Sequence, residues 1–137
     1  GMIMTVITAF QIFNNLPASS TEMKADASAE KWSLEIESEM QSQNQAYLIN
    51  FTAAWCITCQ TNEKTALARE KVKEYLAEEN IAYVKADWTN RNEGIAIGLA
   101  KYKRTGIPLY IFWKPGMPSS KILPAVLTED SLIKSMQ

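Results

Sequence analysis

The sequence predicts an α/β fold in which a central mixed β-sheet is flanked by helices. The first observation is an apolar, β-rich run, Tyr47–Thr52, followed by helical patterns with no Gly or Pro until Gly94. The second is the alternation of further apolar runs, at 81–87 and 109–113, with helical patterns. The 137 residues suffice for one domain with a proper core and are too few for two.

The composition excludes several classes of function. The net charge is −1, so the composition gives no indication of binding to nucleic acid or to an anionic membrane surface. The chain contains no His, which removes the usual general base and the commonest metal ligand. Hydrolysis by a Ser–His or Cys–His pair within this chain is therefore excluded.

The only two cysteines, Cys56 and Cys59, lie between the first apolar run and the helical stretch. A strand that leads into a helix with Cys-x-x-Cys in its first turn is the layout of a thioredoxin-like redox site. Unpaired N–H groups and the dipole at a helix N-terminus stabilise a thiolate, so we expect Cys56 to be the nucleophile. Cys59, facing the interior, would resolve the mixed disulfide. A structural zinc site would need two more N or S ligands, and the chain has no His and no other Cys. Because thiol exchange needs only the two cysteines, we predict neither a metal nor an organic cofactor beyond the redox-active disulfide.

The N-terminal part is predicted to be an extension, residues 1–31, that precedes the domain at 32–137. Gly1 is interpreted as the scar of a removed tag. The apolar segment 2–13 has three interpretations: an element packed on the domain, an exposed partner-binding segment, or the end of a transmembrane helix. Residues 14–31 are interpreted as a linker or irregular arm.

The domain is expected to begin with a helix at Trp32, capped by Ser33, before the strand at 46–52. A bend is predicted around 66–70, followed by a helix that ends near Asn80, a strand at 81–87 and a helix through Tyr102. Pro108 directly precedes the apolar strand Leu109–Trp113, and residues 121–123 would pair with it as a short antiparallel strand. Thr128 is expected to cap a last helix that runs through Met136.

The run NFTAAWCITCQTNE at 50–63 resembles the C-terminal thioredoxin-like domain of the bacterial thiol:disulfide interchange protein DsbD family. The segment Ala86-Asp87-Trp88-Thr89, the tripeptide Gly106-Ile107-Pro108 and the tail from Ile122 to Thr128 fit the same family. The resemblance extends from about Trp32 to the C-terminus. It implies a thioredoxin-like fold and a protein-disulfide reductase activity.

The resemblance also implies partners, a location and roles for individual residues. Such a domain takes electrons from a transmembrane dithiol domain and passes them to a periplasmic redox domain, which serves disulfide isomerases and cytochrome c maturation. The chain would therefore face the periplasm at the bacterial inner membrane, with tethering through the parent protein. Trp55 would pack beside the disulfide. Pro108 would be a cis-proline facing it, with Gly106 and the backbone of Ile107 in the partner-binding loop.

The sequence departs from the family at two acidic positions. A buried Asp usually stands where Asn50 is, and a second Asp where Ala54 is. Because Asn50 cannot accept a proton from Cys59, we predict that Glu63 alone serves proton transfer. We also predict that Cys56 is more acidic than in relatives with both acids.

Two other interpretations remain open. The chain could be a different reductase of the same fold, either for cytochrome c maturation or a general thioredoxin. Ile57 and Thr58 replace the Gly-Pro of the thioredoxin motif, which weakens the second of these. It could instead be a non-catalytic binding module that holds a partner at Pro108 or through the segment 2–13.

Overall fold

The computed structural model describes residues 29–137, and the segment 2–13 lies outside them. The structure contains five strands and five α-helices in this part of the chain. In chain order they are β1 Ala29–Lys31, α1 Ile36–Ser42, β2 Tyr47–Thr52, α2 Ile57–Asn62, α3 Glu70–Glu78, β3 Ala82–Asp87, α4 Glu93–Lys101, β4 Leu109–Trp113, β5 Lys121–Ile122 and α5 Glu129–Ser135. A π-helical turn, Glu63–Leu67, directly follows α2.

The five strands form one mixed sheet in the order β1-β3-β2-β4-β5. Strands β1, β3 and β2 are parallel, whereas β4 pairs antiparallel with β2 and β5 pairs antiparallel with β4. The two central strands, β2 and β4, are buried along their whole length. The predicted mixed sheet flanked by helices is therefore confirmed.

Helices cover both faces of the sheet because successive side chains of a strand point to opposite sides. On one face Ile49 and Phe51 of β2 pack with residues of α1 and α4, among them Met40 and Leu99. On the other face Leu48 packs with the π-helical turn, α3 and α5. The end of β2 that leads into the Cys-x-x-Cys segment is thus held from both sides.

The prediction was wrong at the start of the domain. The helix begins at Ile36 instead of Trp32, and no side chain caps it, so Ser33 is not its N-cap. Residues 29–31, assigned to the linker, form β1, and the N–H of Trp32 donates to the carbonyl oxygen of Lys85. This pairing keeps the chain extended as far as Trp32, whose ring then packs against Phe51 with centroids 5.8 Å apart.

The later elements match the sequence pattern closely. The predicted bend around 66–70 is confirmed, since the π-helical turn ends at Leu67 and α3 begins at Glu70. Thr128 caps α5, and its side chain accepts a hydrogen bond from the N–H of Ser131. No helix within residues 29–137 is long and apolar enough to cross a membrane.

Candidate active site

Cys56 and Cys59 form a disulfide at the N-terminus of α2, with their Cα atoms 5.2 Å apart. Cys56 is the N-cap of the helix, and the N–H of Cys59 donates to its Sγ at 3.1 Å. Cys59 is 1% exposed and Cys56 is 7% exposed. The helix therefore directs a hydrogen-bond donor at the outer sulfur and buries the inner one.

A loop after β3 holds the backbone that leads into Cys56. The hydroxyl of Thr89 accepts a hydrogen bond from the N–H of Ala54 at 2.9 Å and donates to Asp87 Oδ1 at 2.5 Å. The indole N–H of Trp55 donates to the carbonyl oxygen of Thr89 at 2.9 Å. These contacts hold Trp55, the residue directly before Cys56, with 43% of its surface exposed.

The same loop places a cation against Trp55. The guanidinium carbon of Arg91 lies 4.2 Å from the centroid of the Trp55 ring and 5.4 Å from that of Trp88. The two indoles are tilted by 53° with centroids 6.1 Å apart. Arg91 was not predicted as a site residue, because it belongs to no recognisable motif in the sequence.

The predicted partner-binding loop approaches the disulfide from the start of β4. The peptide bond between Ile107 and Pro108 is cis. The side chain of Ile107 packs against the buried cluster of Ala53, Cys56 and Cys59. Gly106 is exposed, and a Cβ added there would meet no atom within 4 Å. Sequence positions 107 and 56 are thus brought into one site.

Ile57 and Thr58, between the two cysteines, point away from the core. Ile57 is 82% exposed, and Thr58 is also exposed. Trp55, directly before Cys56, is also exposed. These side chains are available to a partner, whereas they add nothing to the core of the domain.

Asn50 lies in the middle of the sheet and is 1% exposed. Its Nδ2 donates to the hydroxyl of Tyr83 at 2.9 Å, and its Oδ1 is buried without a hydrogen-bond partner. The register places Asn50 opposite Tyr110, whose face of the sheet packs under the π-helical turn, α3 and α5. Asn50 therefore lies on the face of the sheet that the π-helical turn, α3 and α5 cover.

Glu63 is half-buried and is the first residue of the π-helical turn. It lines a cavity of about 340 Å³ together with Ala53, Gln60 and Asp87. Burial raises the pKa of Tyr110 to about 12, with the charge of Glu63 adding to the rise and the hydrogen bond from Asn62 opposing it. Glu63 thus stands near the base of α2, in a cavity that reaches the loop before Cys56.

Asn62 is a site residue that sequence reasoning missed. It lies one turn after Cys59 and is 1% exposed. Its Nδ2 donates to the hydroxyl of Tyr110 at 2.8 Å and to the carbonyl oxygen of Ala125 at 2.7 Å, while its Oδ1 accepts from the N–H of Leu127 at 3.0 Å. Asn62 therefore ties the cysteine-bearing helix to the loop before α5. The signal that could have identified it is its helical spacing from Cys59, which puts a polar side chain on the buried face of α2.

Residues 29–115 match the family described as thioredoxin-like. The chain belongs to the thioredoxin-like family. The resemblance to DsbD noted in the sequence is confirmed by curated relatives. The thiol:disulfide interchange protein DsbD of Campylobacter jejuni strain RM1221 is 23% identical over 100 residues, which are 73% of this chain and 17% of that protein. The protein of the same name from Yersinia pestis strain Pestoides F is 32% identical over 73 residues, 53% of this chain and 12% of that protein.

Solved structures show the same thioredoxin-like fold. The reduced C-terminal domain of Neisseria meningitidis DsbD superposes with a TM-score of 0.59 at 18% identity, covering 85% of this chain and 92% of that domain. A thioredoxin from Thermus thermophilus gives a TM-score of 0.58 at 18% identity, covering 79% of this chain and 84% of that one. The matched residues span less than a fifth of the length of the curated relatives.

Proposed function

We propose that this thioredoxin-fold oxidoreductase reduces protein disulfides through its Cys56-Ile57-Thr58-Cys59 site. The observation that carries the proposal is the helix-capping position of Cys56, whose Sγ accepts the N–H of Cys59 at 3.1 Å. A hydrogen bond and a helix N-terminus at a sulfur favour the thiolate, which is the attacking form. The cis bond before Pro108 and the packed side chain of Ile107 form the facing wall.

The proposed reaction consists of two thiol–disulfide exchanges. The thiolate of Cys56 attacks one sulfur of the partner's disulfide, forming a mixed disulfide and releasing the other partner sulfur as a thiolate that takes up a proton. Cys59 then loses its proton and attacks Cys56 Sγ, which forms the Cys56–Cys59 disulfide and releases the first partner sulfur. Two electrons pass from the cysteine pair to the partner. No metal or organic cofactor enters either step.

Three neighbouring groups are proposed to support the exchange. Trp55 shields the disulfide and offers an exposed ring to the partner. The backbone of Ile107 and Gly106 is proposed to pair with an extended partner segment, and Ile57 and Thr58 border it. Glu63 is proposed to accept the proton of Cys59, because Asn50 cannot do so and Glu63 lies in a cavity beside the same helix.

The proposed setting is the periplasmic side of the bacterial inner membrane. Its support is the similarity to thiol:disulfide interchange proteins named DsbD. An upstream membrane dithiol would re-reduce the Cys56–Cys59 disulfide. A downstream periplasmic redox protein would receive the electrons.

The first test of the proposed direction is the reduction potential of the Cys56–Cys59 pair. Equilibration against glutathione and thioredoxin redox buffers measures it, with alkylation of free thiols as the readout. A value near or below about −270 mV, that of thioredoxin, supports a reductant. A value near about −120 mV, that of the oxidant DsbA, would reverse the direction of electron flow.

A trapping experiment tests the division of labour between the two cysteines. With Cys59→Ser, reduced protein should accumulate a mixed disulfide with reducible insulin, whereas Cys56→Ser should form none. Wild-type protein should reduce insulin without a stable adduct. Failure of the wild type to reduce insulin or any tested disulfide would support a non-catalytic binding module instead.

A further inference from the structure

The loop after β3 holds an arginine in a fixed position at the rim of the dithiol site. The Arg91 guanidinium stacks 4.2 Å from the ring centroid of Trp55, the residue that directly precedes Cys56. Trp55 is itself held by the hydrogen bond from its indole N–H to Thr89. The position of the cation relative to the nucleophile is therefore set by a chain of specific contacts.

The backbone around Arg91 supports this placement. Arg91 has a left-handed conformation, with φ of 51°, and its N–H donates to the carbonyl oxygen of Trp88 at 2.9 Å. Stacking on an aromatic ring leaves the N–H groups at the edge of a guanidinium free to donate. Since the side chain is already ordered, a ligand that binds it avoids much of the usual entropic cost.

Arg91 forms no ion pair with any residue in the described part of the chain. Other cations do, for example Arg69 with Glu129 at 3.5 Å and Lys101 with Glu37 at 3.8 Å. Asp87, the last residue of β3, directs its Oδ1 at the N–H and the hydroxyl of Thr89. Arg91 is exposed to solvent. An oriented guanidinium that forms no ion pair within residues 29–137 thus stands on the ring of Trp55, the residue directly before the nucleophile.

We propose that Arg91 is a specificity residue that binds a carboxylate of the partner protein, from an Asp or Glu close to the partner's disulfide. The proposal rests on the function proposed above. A planar guanidinium binds a carboxylate through two parallel N–H···O hydrogen bonds. The spacing of its N–H groups matches the spacing of the two carboxylate oxygens, which makes a carboxylate the preferred protein ligand. Arg91 would select partners by charge next to the scissile disulfide, whereas Trp55 and Ile107 contact them through apolar surface.

The test uses three disulfide-bonded peptides that differ only at one position flanking a cysteine, which is Glu, Gln or Lys. The second-order rate constant for their reduction by prereduced protein is measured in single turnover, with Trp fluorescence as the signal. Wild-type protein should reduce the Glu peptide about three- to tenfold faster than the Gln peptide, with the Lys peptide slowest. The preference should shrink as ionic strength rises.

Two variants and a matched control assign the preference to Arg91. Arg91→Gln should abolish the difference between the Glu and Gln peptides, and Arg91→Glu should favour the Lys peptide. Arg69→Gln makes the same change of charge at an exposed arginine paired with α5. It should leave the wild-type preference intact.

The outcomes separate this proposal from the proposed function. Equal wild-type rates for the three peptides would overturn the role of Arg91 while leaving the reductase activity established. A uniform loss with Arg91→Gln, equal for all peptides, would also overturn it, because Arg91 would then act only by holding Trp55. If the wild-type protein reduces none of the peptides, both the proposed reductase function and the proposed role of Arg91 are wrong.

Discussion

The N–H of Cys59 donates to the Sγ of Cys56 across 3.1 Å, within the first turn of α2. This donor and the helix N-terminus stabilise negative charge on the sulfur after reduction. We expect the thiol pKa of Cys56 to lie below the free value of about 8.5. The pH dependence of iodoacetamide alkylation, measured on reduced Cys59→Ser protein, checks this. A pKa well above 8.5 would contradict it.

Glu63 is expected to set the rate of the second exchange. With Glu63→Gln the proton of Cys59 loses its acceptor, so release of the partner from the mixed disulfide should slow by about a hundredfold near pH 7, at the low end of general-base effects. Rapid-mixing measurements of release, starting from an isolated mixed disulfide, give this rate. Glu70→Gln is the control, because Glu70 is exposed in the first turn of α3. An unchanged rate in Glu63→Gln would remove Glu63 from the mechanism.

Asn62 is expected to contribute strongly to stability. Replacing it by Ala removes hydrogen bonds to Tyr110, Ala125 and Leu127 and leaves the buried N–H of Leu127 without a partner. We expect Asn62→Ala to lower the free energy of unfolding by about 3 kcal/mol. Urea unfolding of the oxidised protein measures the change. Thr61→Ala, at the exposed neighbouring position, should change it by less than about 0.5 kcal/mol.

Gly98 in α4 is required by the packing of Trp32. A Cβ at this position would lie 2.5 Å from a carbon of the Trp32 ring. Gly98→Ala should therefore destabilise the protein by about 1–3 kcal/mol, despite the better helix propensity of Ala. Gly94→Ala in the same helix meets no atom within 4 Å and should be neutral or slightly stabilising. Equal thermal stability of the two variants would show that Trp32 moves aside freely.

Alkaline pH is expected to destabilise the fold through buried tyrosines. Burial raises the pKa of Tyr110 to about 12, above the value of about 10 in an unfolded chain. At a pH between these two pKa values, unfolding releases the proton of Tyr110. The contribution of Tyr110 to the free energy of unfolding is therefore fully present below pH 10 and is lost as the pH rises towards 12. Each such tyrosine contributes a slope of about 1.4 kcal/mol per pH unit. Tyr47 and Tyr102, whose pKa values burial and the neighbouring Glu37 also raise, act in the same direction.

Urea unfolding at several pH values between 8 and 11 measures that slope. A Cys56→Ser, Cys59→Ser background keeps thiol titration out of the comparison. Tyr110→Phe should make the decline less steep, although it also removes the hydrogen bond from Asn62 at every pH. An unchanged slope would show that Tyr110 does not titrate in this range.

Several features of the site followed from local sequence alone. Cys56 and Cys59 are three positions apart in the first turn of a helix, a spacing that brings their sulfur atoms together whatever surrounds them. Thr128 was expected as an N-cap because its side chain can satisfy a helix N–H within four residues. The apolar strands at 47–52 and 109–113 were evident from their runs of β-branched and aromatic residues.

Other features depended on contacts between distant segments. The short strand Ala29–Lys31 has a polar, mostly exposed sequence, and it is a strand only because β3 offers an edge with which it pairs. The sequence around it indicated an irregular arm. A three-residue edge strand carries too little apolar pattern to be recognised without its partner.

By itself, the sequence determined the sheet with its flanking helices, the dithiol and its place at the start of a helix. These follow from hydrophobic periodicity and from short-range geometry. Only the tertiary structure decided that Ile107 packs on the disulfide, that Asn62 ties α2 to the loop before α5, and that Arg91 stacks on Trp55. Each of these joins residues between 36 and 65 positions apart. Their meeting depends on how the whole sheet is assembled, which no local pattern encodes.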